Sequence, residues 1–310
     1  MAVTLTTALK NINEDIVNDI NNIAPSATPV YSGIGKATAK HTYHENLIDT
    51  LNAPNKDNAR TEGADAEVPS NTLVSRVGNH TQIFAKEVSI AGSTDYVSTA
   101  GKAEFARQLA NVQKEIKTDI EAAIVSGNAS VGGTTRKLAG MAAWIKTNAV
   151  ENGGSSTPGF SGNTVGAPVD ATTPVEIAES MLPDLAQRMF NTGAEIKDMI
   201  ANPAMKAKLS SILSGNATRW NNSKEKAAYS NVDFYTTDFG TFALKPHRMV
   251  SLDTIIAYDP ELWAVASLRP FKTEALAKTG DSRKVQLITE LTLESRNEAG
   301  NGKIAGVATE

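Results

Sequence analysis

Residues 98–127, STAGKAEFARQLANVQKEIKTDIEAAIVSG, set the frame of this chain. Phe105, Leu109, Val112, Ile116, Ile120 and Ala123 recur at spacings of three and four, which on a helix places them along one stripe. Gly127 is a natural C-terminal stop, so the spacing predicts a helix over residues 98–126, about 40 Å long at the standard rise per residue. The opposite face carries Lys102, Glu104, Arg107, Lys114, Glu115, Lys117, Asp119 and Glu121, the charge expected of a helix lying on a sheet or against a neighbour.

Working outward, QIFAKEVSI (residues 82–90) alternates like a strand and ends in the turn Ala91-Gly92-Ser93. Further upstream, a short apolar-periodic piece (Leu9, Ile12, Ile16, Ile20, Ile23) gives way to the polar residues 25–79, which read as extended arm and loop. So long a segment makes sense when its contacts lie on another subunit. Downstream, residues 148–173 are rich in Gly, Ser, Thr and Pro and predict a mobile surface loop. Thr173-Pro174-Val175-Glu176 combines a capping box with an N1 proline, predicting a helix with the stripe Ile177, Met181, Leu185 and Met189 and a kink at Pro183. EIKDMIA (195–201) reads as a buried strand, and Asn202-Pro203 opens a helix carrying Met205, Leu209 and Ile212 and closed by Gly215. Short strands follow near 233–235, 241–244, 254–258 and 263–268. In a last strand, 285–294, Val285, Leu287, Thr289, Leu291 and Leu293 face one way and Gln286, Ile288, Glu290, Thr292 and Glu294 the other. The pattern is α+β, without an internal repeat.

At 310 residues the chain has room for two domains or one elaborated domain. The absence of cysteine excludes disulfides, thiolate nucleophiles and Cys-based metal sites. A net charge of −4 gives no electrostatic footprint for tight nucleic-acid binding. No stretch has the length and apolarity of a membrane span, and MAVTLTTALKNINED lacks a basic region followed by an apolar one, so synthesis in the cytoplasm is expected.

Catalytic fragments exist but lack their companions. His41, His44 and Glu45 have no evident further metal ligand and read as solvated or hydrogen-bonded side chains. Gly300-Asn301-Gly302-Lys303-Ile304-Ala305 fits a lenient dinucleotide pattern without the helix or distal acid it needs, and reads as a turn between strands. Asp238-Phe239-Gly240 copies a kinase tripeptide without a catalytic loop. Gly33-Ile34-Gly35-Lys36 lacks the upstream glycine and the hydroxyl of a phosphate loop. Ser223-Lys224-Glu225-Lys226 with Lys278-Thr279-Gly280 matches fragments of a penicillin-binding acyl-enzyme, with Ser223 as nucleophile and Lys226 as its activator, but the intervening SxN element is missing. Glu62 with Asp65, and Glu290 with Glu294, read as exposed charge. No catalytic, cofactor-binding or metal-binding residue is expected.

The order of segments is informative as a whole. Glu62-Gly63-Ala64-Asp65, Gly78-Asn79-His80-Thr81-Gln82-Ile83-Phe84, Arg107-Gln108, Asp119-Ile120-Glu121, Arg136 to Gly140 and Trp144 are followed by Asn191-Thr192-Gly193-Ala194, Asn202-Pro203 and Thr237-Asp238-Phe239-Gly240. Leu268-Arg269-Pro270, Ala277-Lys278-Thr279-Gly280-Asp281-Ser282 and Glu290-Leu291-Thr292-Leu293-Glu294 complete the series. Over residues 45–307 this succession resembles a family of tailed-bacteriophage major capsid proteins. The resemblance implies the Hong Kong 97-type α+β fold: an N-terminal arm (1–37), an extended loop (38–80), a peripheral domain (81–140 and 263–310) with the spine helix at about 98–126, and an axial domain (141–262). It implies a structural subunit that assembles as hexamers and pentamers into an icosahedral head around phage DNA. Partners would be further copies of itself, a portal, scaffolding or decoration proteins, and DNA by non-specific proximity, with no membrane. It would be made and assembled in the host cytoplasm and reside in the virion. An encapsulin-like compartment shell shares the fold and differs in enclosing cargo enzyme. On this reading the spine stripe packs within the subunit, residues 25–79 make contacts between subunits, and removal of 40–75 leaves a folded chain that does not assemble.

Overall fold

The computed structural model describes residues 27–65, 73–95, 97, 103–194, 197–216, 234–278 and 280–309. The amphipathic piece ending at Ile23 and the first residues of the predicted spine helix lie outside this set. The described helices are α1 (Pro29–Gly33), α2 (Glu104–Val125), α3 (Met141–Trp144), α4 (Met181–Asn191) and α5 (Pro203–Asn216). Before α2 lie strands β1 (Gly35–Thr38), β2 (Tyr43–Ile48), β3 (Ser75–His80) and β4 (Gln82–Ala91). Between α3 and α4 are β5 (Ala149–Glu151), β6 (Phe160–Ser161), β7 (Thr164–Val165) and β8 (Val175–Glu176), and β9 (Asp198–Ala201) precedes α5. The remainder is β10 (Phe234–Thr237), β11 (Gly240–Pro246), β12 (Thr254–Tyr258), β13 (Trp263–Ala275), β14 (Ser282–Ser295), β15 (Gly302–Ala305) and β16 (Val307–Ala308).

Two sheets organise these elements. The first has the order β1-β13-β14-β4, with β1 parallel to β13 and the other pairs antiparallel. Its register runs unbroken from Ser282 opposite Ala91 to Leu291 opposite Gln82. Alternation sends Leu287, Leu291 and Leu293 of β14 and Phe84, Val88 and Ile90 of β4 to one side. There they meet Val112, Ile116, Ile120 and Ala123 of the predicted α2 stripe, joined by Ile124, with Phe105 of that stripe partly buried against them.

The second sheet has the order β10-β11-β9-β12-β15-β5, and its central strands β9, β12 and β15 are buried on both faces. Met199, Ala201, Ile255, Ala257 and Ile304 point toward α4 and α5, where Leu182, Leu185, Met189, Met205, Leu209 and Leu213 form a second core. Their neighbours Ile200, Ile256 and Tyr258 point the opposite way, into the α2 core. The two-residue period of β9 and β12 thus couples both cores through a single layer of backbone.

Several expectations are corrected. Residues 25–79 are not all arm and loop: they contain α1, β1, β2 and β3, because β1 finds a parallel partner in β13 and β2 pairs with β3. Residues 148–173 are folded in place, since β5 joins the second sheet, β6 pairs with β7, and Ser155, Thr157 and Val165 are buried. Glycine there serves close approach: a Cβ on Gly306 would sit 2.0 Å from the carbonyl oxygen of Asn152 in this segment. The helix expected from Thr173 begins instead at Met181, because β8 pairs with β16 and holds that stretch extended. Pro183 therefore lies in the first helical turn, where its missing N–H has no intrahelical partner to lose. β13 runs beyond the expected 263–268, to Ala275, by pairing with β14. Gly302–Ala305 is a strand rather than a turn, clasped between β12 and β5.

Ile120→Ala is expected to lower unfolding free energy by about 2–5 kcal/mol in denaturant titrations, because its side chain is fully buried in the α2 core. Gly140→Ala should cost about 1–3 kcal/mol or more by overpacking, since its new Cβ would lie 2.2 Å from the Ser126 carbonyl oxygen at the end of α2.

Candidate functional site

Four of the segments that carry the family resemblance, 78–84, 136–140, 268–270 and 290–294, meet in a polar joint on β14, where β3 gives way to β4. Glu290 of β14 is 3% exposed and accepts hydrogen bonds from Thr81 Oγ1 at 2.6 Å, Arg136 Nη2 at 2.7 Å and Arg269 Nε at 2.9 Å. Burial alone would raise its carboxyl, but the bonds from Thr81, Arg136 and Arg269 outweigh that and hold it below the ordinary carboxylate value. Asn79, also buried, donates through Nδ2 to the carbonyl oxygens of Ala139 and Leu293 and accepts from the Ala139 amide at 2.9 Å. Gln82 accepts from the Leu138 amide, and Thr292 donates to the His80 carbonyl. Glu294 meets His44 Nε2 at 2.9 Å, and that hydrogen bond holds its carboxyl low despite burial. Asn46 Nδ2 donates to the Ser295 carbonyl at 2.7 Å. Glu290 and Glu294, expected to be exposed charge, are therefore buried or nearly so, because their cationic and hydroxyl partners arrive from β2, β13, the β3–β4 junction and the connection after α2.

This joint fixes the root of the β2–β3 hairpin to β14 and to the connection after α2. Beyond the root, residues 49–65 are exposed throughout, and the exposed positions include Leu51 at 95% and Leu73 at 88%. A rigid root carrying a solvent-exposed, mostly polar extension, with Leu51 and Leu73 exposed on it, is a feature of this structure suited to contact with another molecule.

A second buried carboxylate was also misassigned by the helical wheel. Glu121, placed on the charged face of α2, has no exposed surface. It accepts from the amides of Val30 at 2.8 Å and Tyr31 at 2.6 Å, and from His247 Nε2 at 2.8 Å. The Met249 amide donates to His247 Nδ1, which leaves the proton on Nε2 for Glu121. Thr28 gives α1 no side-chain cap, so Glu121 satisfies the first-turn amides from a distance in sequence. A third junction joins the two cores: Asn148 Nδ2 donates to the carbonyls of Ala299 and Asn301, and Asn301 Oδ1 accepts from Trp263 Nε1 at 2.9 Å. Lys303 lies buried on the α2-facing side of β15, donates to the Ala142 carbonyl at 2.7 Å, and is pushed down to about 8 by desolvation.

The residues singled out for chemistry are dispersed. His44 belongs to the joint, and among the described residues no group of three or more His, Cys, Asp or Glu side chains could hold a metal ion. Glu62 and Asp65 lie on the exposed loop. Asp238-Phe239 makes the tight turn between β10 and β11. Lys36 is in β1 and bonds to the Tyr31 carbonyl. Lys278 lies 3.8 Å from Asp281 at the exposed end of the β13–β14 hairpin, while Ser223, Lys226 and Thr279 lie outside the described residues.

A family model described as SU10 major capsid protein matches residues 2–308. The chain belongs to the SU10 major capsid protein family. The major capsid protein of Escherichia phage Phieco32 is 24% identical over 322 residues, spanning 92% of this chain and 91% of that relative. Among solved structures, the capsid of a native GTA particle is similar with a TM-score of 0.67 at 11% identity, covering 98% of each chain. The capsid asymmetric unit of cyanophage A-1(L) gives 0.64 at 10% identity over 99% of each chain. The holo-SrpI encapsulin complex of Synechococcus elongatus PCC 7942 gives 0.59 at 9% identity, over 100% of this chain and 97% of that one. At such identities the structural likeness concerns the fold, which is the Hong Kong 97-type. The SU10-family chain is a structural capsid protein of the virion that self-associates into a capsid, and its family is not one of enzymes.

Glu290→Gln is expected to cost on the order of 3 kcal/mol, somewhat less than the full price of breaking a buried pair because Arg269 is half exposed. Since the folded-state carboxyl titrates below 4.5, its contribution is present above that value and lost as pH falls through the folded-state value. Denaturant midpoints should therefore drop in acid less steeply for Glu290→Gln than for the parent chain. For Lys303 the sign reverses. Its folded value of about 8 lies below the ordinary 10.5, so the cost of burying the ammonium is full below pH 8 and relieved as pH rises to 10.5. Lys303→Met should remove a rise in stability of about 3 kcal/mol across that window, read as the difference between parent and variant.

Proposed function

We propose that this chain builds the icosahedral head of a tailed phage by assembling as hexamers and pentamers around packaged DNA, in the cytoplasm of the bacterial host. The observation that carries this reading is the exposed extension from residue 49 to 65, with Leu51 and Leu73 almost wholly in solvent on a hairpin whose root is fixed. Among the described residues that surface stays open to solvent, whereas a ring of copies would cover it many times by the same heterologous contact. The domain roles follow the same logic. Residues 1–37 act as an arm and 38–80 as the extended loop. Residues 81–140 and 263–310 form the peripheral domain around α2, with β15 lent to the second sheet, and 141–262 form the axial domain. A portal closes one vertex, and scaffolding or decoration proteins bind the outer or inner wall. A net charge of −4 suits an inner wall that lets DNA lie close without being held. The encapsulin-like alternative rests on likeness of fold alone, while the matching family and the relative in Escherichia phage Phieco32 favour the phage head.

The decisive variant follows from the joint. Removing residues 40–75 would also delete His44 and Asn46, so the informative replacement is of 50–73 by a short Gly-Ser link, which keeps the root intact. We expect that variant to unfold at the parent's denaturant midpoint and to form no shells or rings by electron microscopy and sedimentation, where the parent forms both. Normal shells from it would overturn the assignment of the loop to inter-subunit contact.

A further inference from the structure

A cavity of about 430 Å³ lies where the end of α2 meets α3, β15 and the chain around Asp253, a volume in the range of small-molecule sites. Its wall grades from closed to open. Lys303 and Thr157 are 1% and 5% exposed, whereas Asp170 and Ser251, which also line it, are in solvent. Ala142, Met249 and Val250 add apolar surface.

Two buried polar groups in this wall are under-used. Lys303 Nζ donates to the Ala142 carbonyl at 2.7 Å and has no ion-pair partner among the described residues, so two of its three ammonium protons lack an acceptor there. Thr157 Oγ1 is buried and has no hydrogen-bond partner among the described residues. A buried donor in that condition destabilises the fold unless a further molecule answers it. The rest of the wall has the opposite polarity. Asp253 accepts from Ser251 Oγ and from Thr254 Oγ1 through Oδ1 alone, which leaves Oδ2 open, and it is near enough to act electrostatically on Lys303. Asp170 adds an exposed carboxylate, and Val125 and Ser126 bring the negative end of the α2 dipole to the same space.

A simple anion would suit Lys303 but be repelled by Asp253, Asp170 and the helix end. A simple cation would leave Lys303 and Thr157 unanswered. A ligand that carries both charges close together on an aliphatic body satisfies every part of the wall. The geometry points to a binding site for a small aliphatic zwitterion of the α-amino-acid class. Its carboxylate meets Lys303 and Thr157, its ammonium faces Asp253, and its side chain lies against Ala142, Met249 and Val250. Such a ligand braces the end of α2 against β15 and so stabilises the junction of the two cores.

The test is calorimetric titration of the full-length protein with leucine, with 4-methylpentanoate, which lacks the ammonium, and with 3-methylbutylamine, which lacks the carboxylate. Saturable binding of leucine is expected, with each analogue weaker by about tenfold or more, the loss of one charged hydrogen bond. Thr157→Val keeps the volume and removes a hydroxyl that bonds to nothing among the described residues, so it should keep the parent's denaturant midpoint or raise it while weakening leucine. Asp253→Asn keeps Oδ1 and should weaken leucine without weakening 4-methylpentanoate. No saturable leucine binding would overturn the proposal. So would equal binding of either analogue, or parental leucine affinity in both variants.

Discussion

A carboxylate buried in the middle of a sheet must be compensated where it lies, and Glu290 obtains its compensation from three separate places in the chain. Thr81 precedes β4, Arg136 lies in the turn after α2, and Arg269 is on the neighbouring strand β13. None of these can move far without leaving the charge unpaired, and the penalty for an unpaired buried charge exceeds that for a lost surface contact. The hairpin root, the connection after α2 and the two long strands are therefore held in one relative arrangement. Asn79 and Glu294 extend that arrangement to β3 and β2, so the polar network specifies position where apolar packing would tolerate sliding.

Around this fixed point, the division of labour between the cores becomes intelligible. The α2 core binds helix to sheet through a single stripe, while the second sheet, shared between both cores, prevents the α4–α5 layer from behaving as an independent body. For a subunit whose work is to present edges at set angles to its neighbours, rigidity inside and exposure outside are two parts of one requirement. The exposed residues 49–65 suit the second part and the joint meets the first.

Much of this was legible in the sequence where one periodicity dominated. The α2 stripe, the alternation of β14 and the strand Thr254–Tyr258 follow from the spacing of apolar side chains, and the start of α5 from the Asn202 cap and Pro203. What could not be read were residues whose environment is set by distant partners. Glu121 was placed with the charged face of α2 opposite the apolar stripe, yet its partners Val30, Tyr31 and His247 lie 91, 90 and 126 residues away. Glu290 and Glu294 misled in the same way. Residues 148–173 looked mobile because glycine and serine usually mark disorder, but here Gly153 and Gly306 permit backbone crossings that any side chain would block. The capping box at Thr173 lost to a tertiary pairing with β16, an outcome that local propensity does not encode.

The unbroken pairing of β14 with β4, and its pairing on the other side with β13, has a mechanical meaning. Hydrogen bonds in an antiparallel sheet lie across the strands. Tension applied along β14 consequently loads the whole ladder in shear, so many bonds must yield at once, whereas a peeling force would rupture them one by one. Because the hairpin root is bonded to Leu293, Glu294 and Ser295 at the far end of that strand, a subunit stretched through its loop passes the strain into the direction in which its sheet resists best.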